Sequence, residues 1–502
     1  MSASEDIIEQ RLQQLEQHLQ QENPVLLDAV KGFRDLDRIA QGMALLARDQ
    51  SFTTQIPWWP LISILGTFSA GKSTFINHFL GQPLQRTGNQ AVDDSFTVIC
   101  YSQGAAGHAL PGVALNSDPR FPLYQISKDL ESVAGGEGER IDAYLQLKVS
   151  PSERLRGRIL IDSPGFDADA QRDATLRIVD HIMDLSDLVL VFFDARHPEP
   201  GAMRDTLQHL VGGTMNRADS GKFLYILNQI DATAREDNPE DVVAAWQRAL
   251  GLHGLTAGRF YTIYSPEVAS SIEDPVKRAR FEAKRDIDLA EIHGRMEGVE
   301  VERAYRIVAT LDKTAKDIRE RAMPILSEAV TRWRRRTLIL DAVVFGLLLA
   351  LFEYWSISSG HWKGLSYEPE WLETLKTVRY GPQILAGLLA AVGIAAHFGI
   401  RRLTALSVLP WVRKRAAEEQ GLRGDLVAAF RANTGKLRSV FAASVLGWGR
   451  GTRRRLEQIH QDCDTFVQTL NDGFTNPSGR SRVHLGEAAE PAPAEPEGKL
   501  PA

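Results

Sequence analysis

The octapeptide Gly66-Thr-Phe-Ser-Ala-Gly71-Lys72-Ser73 fits the pattern G-x-x-x-x-G-K-S. It follows the apolar run Leu61–Leu65 and opens the helix-like run Lys72–Leu80. A strand before and a helix after are the context this pattern requires. Glycines let such a loop curl until its N–H groups point inward at phosphate oxygens. The helix N-terminus adds a favourable partial charge. Gly66, Ser69, Ala70, Gly71, Lys72, Ser73 and Thr74 are therefore expected to hold the phosphates of a GTP- or ATP-like ligand. Lys72 should reach the β- and γ-phosphates, and the Ser73 hydroxyl should bind Mg²⁺.

Working outward, Asp162-Ser-Pro-Gly165 follows the run Ile159–Ile161. A carboxylate at a strand end can hold Mg²⁺, usually through water, and Gly165 can offer its N–H to the γ-phosphate. Asn228-Gln-Ile-Asp231 ends the run Phe223–Leu227. A carboxylate there can accept hydrogen bonds from the guanine N1–H and exocyclic amine, a donor pair adenine lacks. The usual guanine pattern is N-K-x-D. Gln229 replaces the lysine whose stem packs over the base, which weakens guanine preference and leaves ATP open. Tyr264-Ser265 falls where a further base-contacting loop would lie.

Phe96–Ser102 and Leu188–Phe193 complete a set of short apolar runs. Gln171–Leu185 and Asp241–Leu250 carry helical periodicity between them. Strand alternating with helix predicts a mostly parallel sheet with helices on both faces.

Charge and cysteine usage exclude several classes. The net charge of -6 over 502 residues excludes a basic nucleic-acid binder. Cys100 and Cys463 are far apart and make neither a metal-ligand pattern nor a disulfide framework. No protease triad or zinc site is visible. The acidic N-terminus lacks the basic and apolar regions of a cleavable signal peptide. Residues after Asn476 are Glu-Pro-Ala-rich and expected to be disordered.

Outside the alternating region the pattern is helical. Residues 1–50 carry an apolar stripe with Pro24 near a break, and residues 275–335 and 410–475 read as long helix. Between the last two lie Leu338–Trp355 and Pro382–Ile400, each just long enough to span a bilayer, which takes about 20 apolar residues. Arg332, Arg334, Arg335 and Arg336 precede the first; Arg401, Arg402, Arg413, Lys414 and Arg415 follow the second. Positive charge on both outer flanks predicts both chain ends in the cytoplasm. The basic clusters suit anionic lipids. Tryptophans at the segment ends suit interfacial anchors, and Ala386, Gly387, Ala390, Ala391 and Gly393 suit close helix packing. A reentrant hairpin in one leaflet and a buried hairpin in a soluble core remain the alternatives.

These motifs resemble the dynamin superfamily. Ser69-Ala70 inside the loop, Gly88 through Asp94-Ser95-Phe96, Ile159–Gly165 and Val191–Ala195 are similar to EH-domain-containing ATPases and bacterial dynamin-like proteins. The helical layout with an apolar hairpin resembles mitofusin-like proteins. The resemblance implies a Mg²⁺-dependent GTPase that forms homo-dimers or larger homo-oligomers through its G domains on membranes, here preferentially a bacterial inner membrane. It assigns Ser69 to charge near the leaving group. Relatives carry a switch-I threonine just before Asp-Ser-Phe, where this chain has Val92 and Asp93. Thr97 is the nearest substitute for holding Mg²⁺ and orienting water. No Asp-x-Asp-x-Asp-Gly calcium loop of an EH domain follows. The implied layout is N-terminal stalk or neck helices over 1–54, a dynamin-type G domain over 55–274, a stalk helix over 275–336, a membrane hairpin over 337–402, C-terminal stalk helices over 403–475 and a tail over 476–502.

Overall fold

The computed structural model describes residues 3–88, 95–104, 109–117, 120, 144–165, 173–197, 220–235, 239–252, 255, 258–419, 421–436, 438–442 and 444–474. The chain divides into two compact units. One comprises residues 6–28, 54–308 and 467–502, and the other residues 1–5, 29–53 and 309–466.

The first unit is built on an eight-stranded sheet. Its strands are β1 (Leu61–Gly66), β2 (Phe96–Tyr101), β3 (Ala109–Pro111), β4 (Leu145–Ser150), β5 (Ile159–Asp162), β6 (Leu188–Asp194), β7 (Phe223–Asn228) and β8 (Arg259–Thr262). They lie in the order β3-β4-β2-β5-β1-β6-β7-β8. Pairing is parallel except where β2 meets β5 and β3 meets β4. Every residue of β1, β5, β6 and β7 is buried. That explains why these strands read as unbroken apolar runs: parallel strands covered on both faces have no solvent side to alternate against.

The expected helices on both faces are present. In chain order the helices are α1 (Ala3–Glu22), α2 (Leu27–Gly42), α3 (Lys72–Leu80), α4 (Val113–Ser117), α5 (Asp173–Leu185), α6 (Pro239–Leu252) and α7 (Pro275–Asp317). Successive β6 side chains point to opposite faces. Phe192 meets Phe75 of α3 at 5.1 Å between ring centroids. Phe193 meets Trp246 of α6 at 5.5 Å on the other side. Ile292, Met296 and Val299 of α7 join the α3 side of the core. The N-terminal helix α1 belongs to this unit: Leu12, Leu15 and Leu19 are buried, and the Trp59 indole donates to Glu22 at 2.6 Å. Residues 1–54 are thus shared between the units, because α2 falls in the other one.

The second unit is helical. It holds most of α2, the end of α7, α8 (Met323–Ser358), α9 (Glu370–Thr377), α10 (Gly381–Glu418), α11 (Leu426–Asn433) and most of α12 (Arg450–Phe474). A π-helical turn, Ile318–Ala322, joins α7 to α8. Phe33, Leu36, Leu311, Ile318, Leu456 and Ile459 are buried in its core. His460 pairs with Asp312 at 2.6 Å and Arg319 with Glu457 at 2.9 Å.

Residues 410–475 do not form the continuous helix expected of them. α10 stops at Glu418, and the short α11 and the longer α12 follow as separate helices. Gly421, Gly424 and Gly447 have φ of 76°, 125° and 70°, a backbone that glycine adopts without strain and that ends helices. Asp425 then restarts the chain as an N-cap, accepting from Val427 and Ala428.

α8 and α10 pack together through a polar seam. The Thr337 and Thr404 hydroxyls are 2.7 Å apart, and His397 Nδ1 lies 2.8 Å from Asp341 Oδ2. Between α8 and α10 lies a two-stranded hairpin, Trp362–Lys363 with Ser366–Tyr367, followed by α9. Both helices are long and apolar enough to cross a membrane, and only 6% of each apolar window is buried. Those windows are therefore not the covered core of the helical unit.

Candidate nucleotide site

The phosphate loop leaves the C-terminal end of β1, near the middle of the sheet, and enters α3. Three of its residues have left-handed or related backbone: Gly66 (φ 151°), Ser69 (φ 58°) and Gly71 (φ 82°). Two must be glycine for lack of space as well. A Cβ on Gly66 would sit 2.3 Å from the Phe192 carbonyl oxygen, and one on Gly71 would sit 2.3 Å from Asn228 Nδ2. The Lys72 ammonium is buried and donates to the carbonyls of Gly66 and Thr67 at 3.1 and 3.0 Å. Burial lowers its pKa to about 8, against the opposing pull of the Asp162 charge. Ser73 and Thr74 occupy the first turn of α3, where backbone N–H groups have no intrahelical acceptor.

Asp162 closes β5 and is buried. Gln85 Nε2 donates to its Oδ2 at 2.6 Å, and Lys148 donates to Gln85 Oε1 at 2.5 Å. Gly165 lies against the phosphate loop: a Cβ there would meet Phe68 Cα at 2.9 Å. The Thr67 and Ser163 hydroxyls are buried beside these groups with no hydrogen-bond partner among the described residues. Unpaired buried hydroxyls are rare. Next to a carboxylate, an ammonium and a helix N-terminus, they fit a site for polyphosphate, hydrated cation and water.

The base-side residues come from β7. Asn228 donates to the Ala70 carbonyl at 2.8 Å, tying the end of β7 to the loop. Gln229 donates to the Ser69 carbonyl at 2.6 Å. Asp231 Oδ2 accepts from the Ser270 backbone N–H at 2.6 Å. Tyr264 is buried with the Arg285 guanidinium 4.9 Å over its ring. Arg196 forms an ion pair with Asp194 at the end of β6, at 2.7 Å.

Ser69, Lys72, Ser73, Gly165, Asn228 and Asp162 therefore gather at the C-terminal ends of the inner strands β1, β5 and β7. Thr97 is placed differently. It lies inside β2 in register with Asp162, and its buried hydroxyl accepts from Gln146 at 2.7 Å. Val92, Asp93 and Asp94 lie outside the described residues. Gln85, Lys148, Arg196 and Ser270 were not legible from motifs. None belongs to a short pattern, and each reaches the site only through tertiary folding.

A phosphate loop at the end of β1 opening a helix, in a mostly parallel sheet, defines a P-loop nucleotide-binding domain. Residues 62–230 match the Dynamin family model. EH domain-containing protein 1 of Homo sapiens is 25% identical over 179 residues, covering 34% of this chain and 31% of that protein. EH domain-containing protein 3 of Homo sapiens is 28% identical over 182 residues with the same shares. The chain thus matches about a third of these relatives' length. A solved chain from an oligomerised bacterial dynamin pair, tied by its description to long-range sensing and tethering of membranes, is 13% identical. It covers 89% of this chain and 76% of that one at a TM-score of 0.31. Residues 62–230, at the heart of the nucleotide-binding domain, are thus similar to the Dynamin family.

Proposed function

We propose that the protein is a membrane-anchored, dynamin-like GTPase that couples nucleotide-dependent pairing of its G domains to membrane remodelling, whether fusion, fission or tethering. One observation carries the membrane part: α8 and α10 present uncovered apolar surface, with Leu349, Leu388 and Leu389 each about 60% exposed. Monomeric soluble proteins rarely leave such continuous apolar patches open. Basic residues flank both outer ends of the pair, which supports a hairpin anchored from the cytoplasmic side of a bacterial inner membrane with anionic lipid.

In the proposed chemistry the loop N–H groups and Lys72 take the β- and γ-phosphates. Ser73 directly, and Asp162 through water, would hold Mg²⁺, which neutralises charge on the phosphate oxygens when bound. Gln85 and Lys148 fix the Asp162 carboxylate for that task. Ser69 faces the developing charge on the leaving group, and Gly165 follows the γ-phosphate. Asn228 ties the base loop to the phosphate loop, and Asp231 reads guanine. A water-orienting role for Thr97 requires its hydroxyl to leave Gln146. Thr97→Val removes turnover if that role is real and leaves it intact if the hydroxyl serves only the strand.

The test is phosphate release from GTP and from ATP, with Mg²⁺, with and without anionic liposomes, alongside flotation and Lys72→Ala. Stimulated hydrolysis that Lys72→Ala abolishes is expected. Failure of the wild type to hydrolyse either nucleotide would end the enzymatic proposal. A second function, a nucleotide-gated membrane scaffold with negligible turnover, is favoured by the engagement of Thr97 inside β2. Nucleotide-dependent dimerisation without phosphate release would select it. Gln229 keeps ATP as an alternative substrate; calorimetry with both nucleotides decides.

A further inference from the structure

Where the apolar stretch of α10 ends at Ile400, the helix runs past a cavity of about 260 Å³ formed with α11 and the turn after it. Its walls are apolar: Phe398, Leu406 and Leu409 from α10 and Phe430 from α11. Its charged groups are all cations, Arg401, Arg402, Arg431 and Lys436. No acidic side chain among the described residues lines it. Arg402, Arg431 and Lys436 are exposed. Cations on this protein's surface are commonly paired, as Arg332 is with Glu328 and Arg321 with Glu419.

Arg401 builds the inner wall. It is 5% exposed, and its guanidinium lies 5.1 Å over Phe398 and 5.4 Å over Trp333. Its terminal nitrogen donates to the carbonyls of Gly435 and Arg438 at 2.9 and 2.5 Å, fixing the turn that carries Lys436. Its Nε is enclosed with no hydrogen-bond partner among the described residues. A buried guanidinium N–H left open is costly unless a ligand takes it.

We propose that this cavity binds the headgroup of a net-negative phospholipid. The proposal rests on the membrane placement of α8 and α10 argued above and gives it a specific lipid site. Phosphate chemistry suits the cations, since Arg and Lys donate well to phosphate oxygens. The apolar walls decide between a lipid and a free phosphate. An inorganic ion gains nothing from Phe398, Leu406 and Phe430, whereas the glycerol and upper acyl carbons of a lipid do. The location agrees: the cavity begins where the apolar stretch of α10 ends at Ile400. That is the headgroup depth for a helix whose apolar stretch lies in the bilayer.

Native mass spectrometry of the full chain in detergent tests this, with phosphatidylglycerol, phosphatidylcholine or sodium phosphate added. One retained phosphatidylglycerol is expected, favoured over phosphatidylcholine about tenfold or more. Each basic group near an anionic headgroup is worth roughly a fivefold change in binding. Arg431→Glu with Lys436→Glu should therefore cut retention at least ~25-fold. Arg413→Glu with Lys414→Glu, on the same basic flank but outside the cavity, should change it less than about threefold. Equal losses in both pairs would mean diffuse surface charge and overturn the site, as would full retention in the cavity pair. Displacement of the lipid by equimolar phosphate would assign a free-anion site and overturn the lipid source. Flotation with liposomes separates the two levels. Protein that floats but retains no lipid sinks the cavity alone, and protein that never floats sinks the membrane placement as well.

Discussion

Gln229 and Ser69 hold each other in place: the Gln229 amide donates to the Ser69 carbonyl at 2.6 Å, and both residues have left-handed backbone, at φ 63° and 58°. For residues with a Cβ that conformation costs about 1 kcal/mol or more each. It persists where the surroundings over-determine it, commonly at functional sites. The residue that departs from the usual N-K-x-D pattern is thus the one that fixes the carbonyl of the proposed leaving-group residue. Gln229→Ala should lower turnover about fivefold or more, the worth of one net hydrogen bond of ~1 kcal/mol, with nucleotide affinity changed less than about twofold. Steady-state kinetics against direct binding separate these. Equal losses in both would mean that the bond only supports the fold of the loop.

Lys72 supplies a pH prediction. Its pKa in the free protein is lowered from the ordinary 10.5 to about 8, by burial first, with Asp162 partly opposing. Between those two values the unfolded chain carries a proton that the folded chain lacks. Stability of the free protein therefore rises with pH across that window, and the gain is lost as pH falls through about 8. A bound polyphosphate favours the charged ammonium, so binding above pH ~8 must take up a proton, and affinity falls by up to ~tenfold per pH unit there. Calorimetry in buffers of different ionisation enthalpy should show the uptake, and Lys72→Met should remove it. Affinity flat from about pH 7 to 9.5 would contradict this.

Asp231 is the proposed reader of the base. Its Oδ2 already accepts from Ser270 N–H at 2.6 Å, which orients the carboxylate and leaves Oδ1 for a ligand. Asp231→Asn keeps the shape but replaces one acceptor with a donor. A guanine-reading site should then lose about tenfold or more in GTP affinity, with ATP changed less than about threefold. Equal loss for both nucleotides would assign Asp231 to holding the Ser270 loop.

How much of this was readable from residues alone depended on whether the relevant neighbour was near in sequence. β1, the phosphate loop and α3 are contiguous, and β6 and β7 are buried on both faces, so composition alone marks them. β4 was missed because Lys148 interrupts its apolar pattern, and Lys148 is buried with its ammonium donating a hydrogen bond to Gln85 Oε1. β3 is three exposed residues, and among the described strands β8 pairs with β7 alone. Gln85 carries no pattern of its own; its role exists because the loop after α3 folds back onto the end of β5. The break in the C-terminal helices was signalled by Gly421 and Gly424, which the helical composition around them masked.

Arg303 and Asp187 give the final prediction, on stability of the sheet unit. The Arg303 guanidinium, 8% exposed in α7, bonds Asp187 at 3.0 Å and the Pro57 carbonyl at 2.6 Å. Asp187 in turn accepts the Leu61 N–H at 2.9 Å, where β1 begins, and an ion pair from Arg306 at 2.8 Å. One buried carboxylate therefore joins α7 to the entrance of the strand that carries the phosphate loop. Removing one partner of a buried pair leaves the other charge uncompensated, at about 3–5 kcal/mol. Arg303→Met should cost less than that, about 1–3 kcal/mol, because Arg306 still pairs with Asp187 while the Pro57 carbonyl loses its donor. Asp187→Leu alone also removes the acceptor of the Leu61 N–H, and it should cost less in the Arg303→Met background than by itself, because one of its partners is already gone. Urea denaturation of the single and double variants measures the coupling. Strict additivity of the two changes would show that Arg303 acts through Pro57 and not through Asp187.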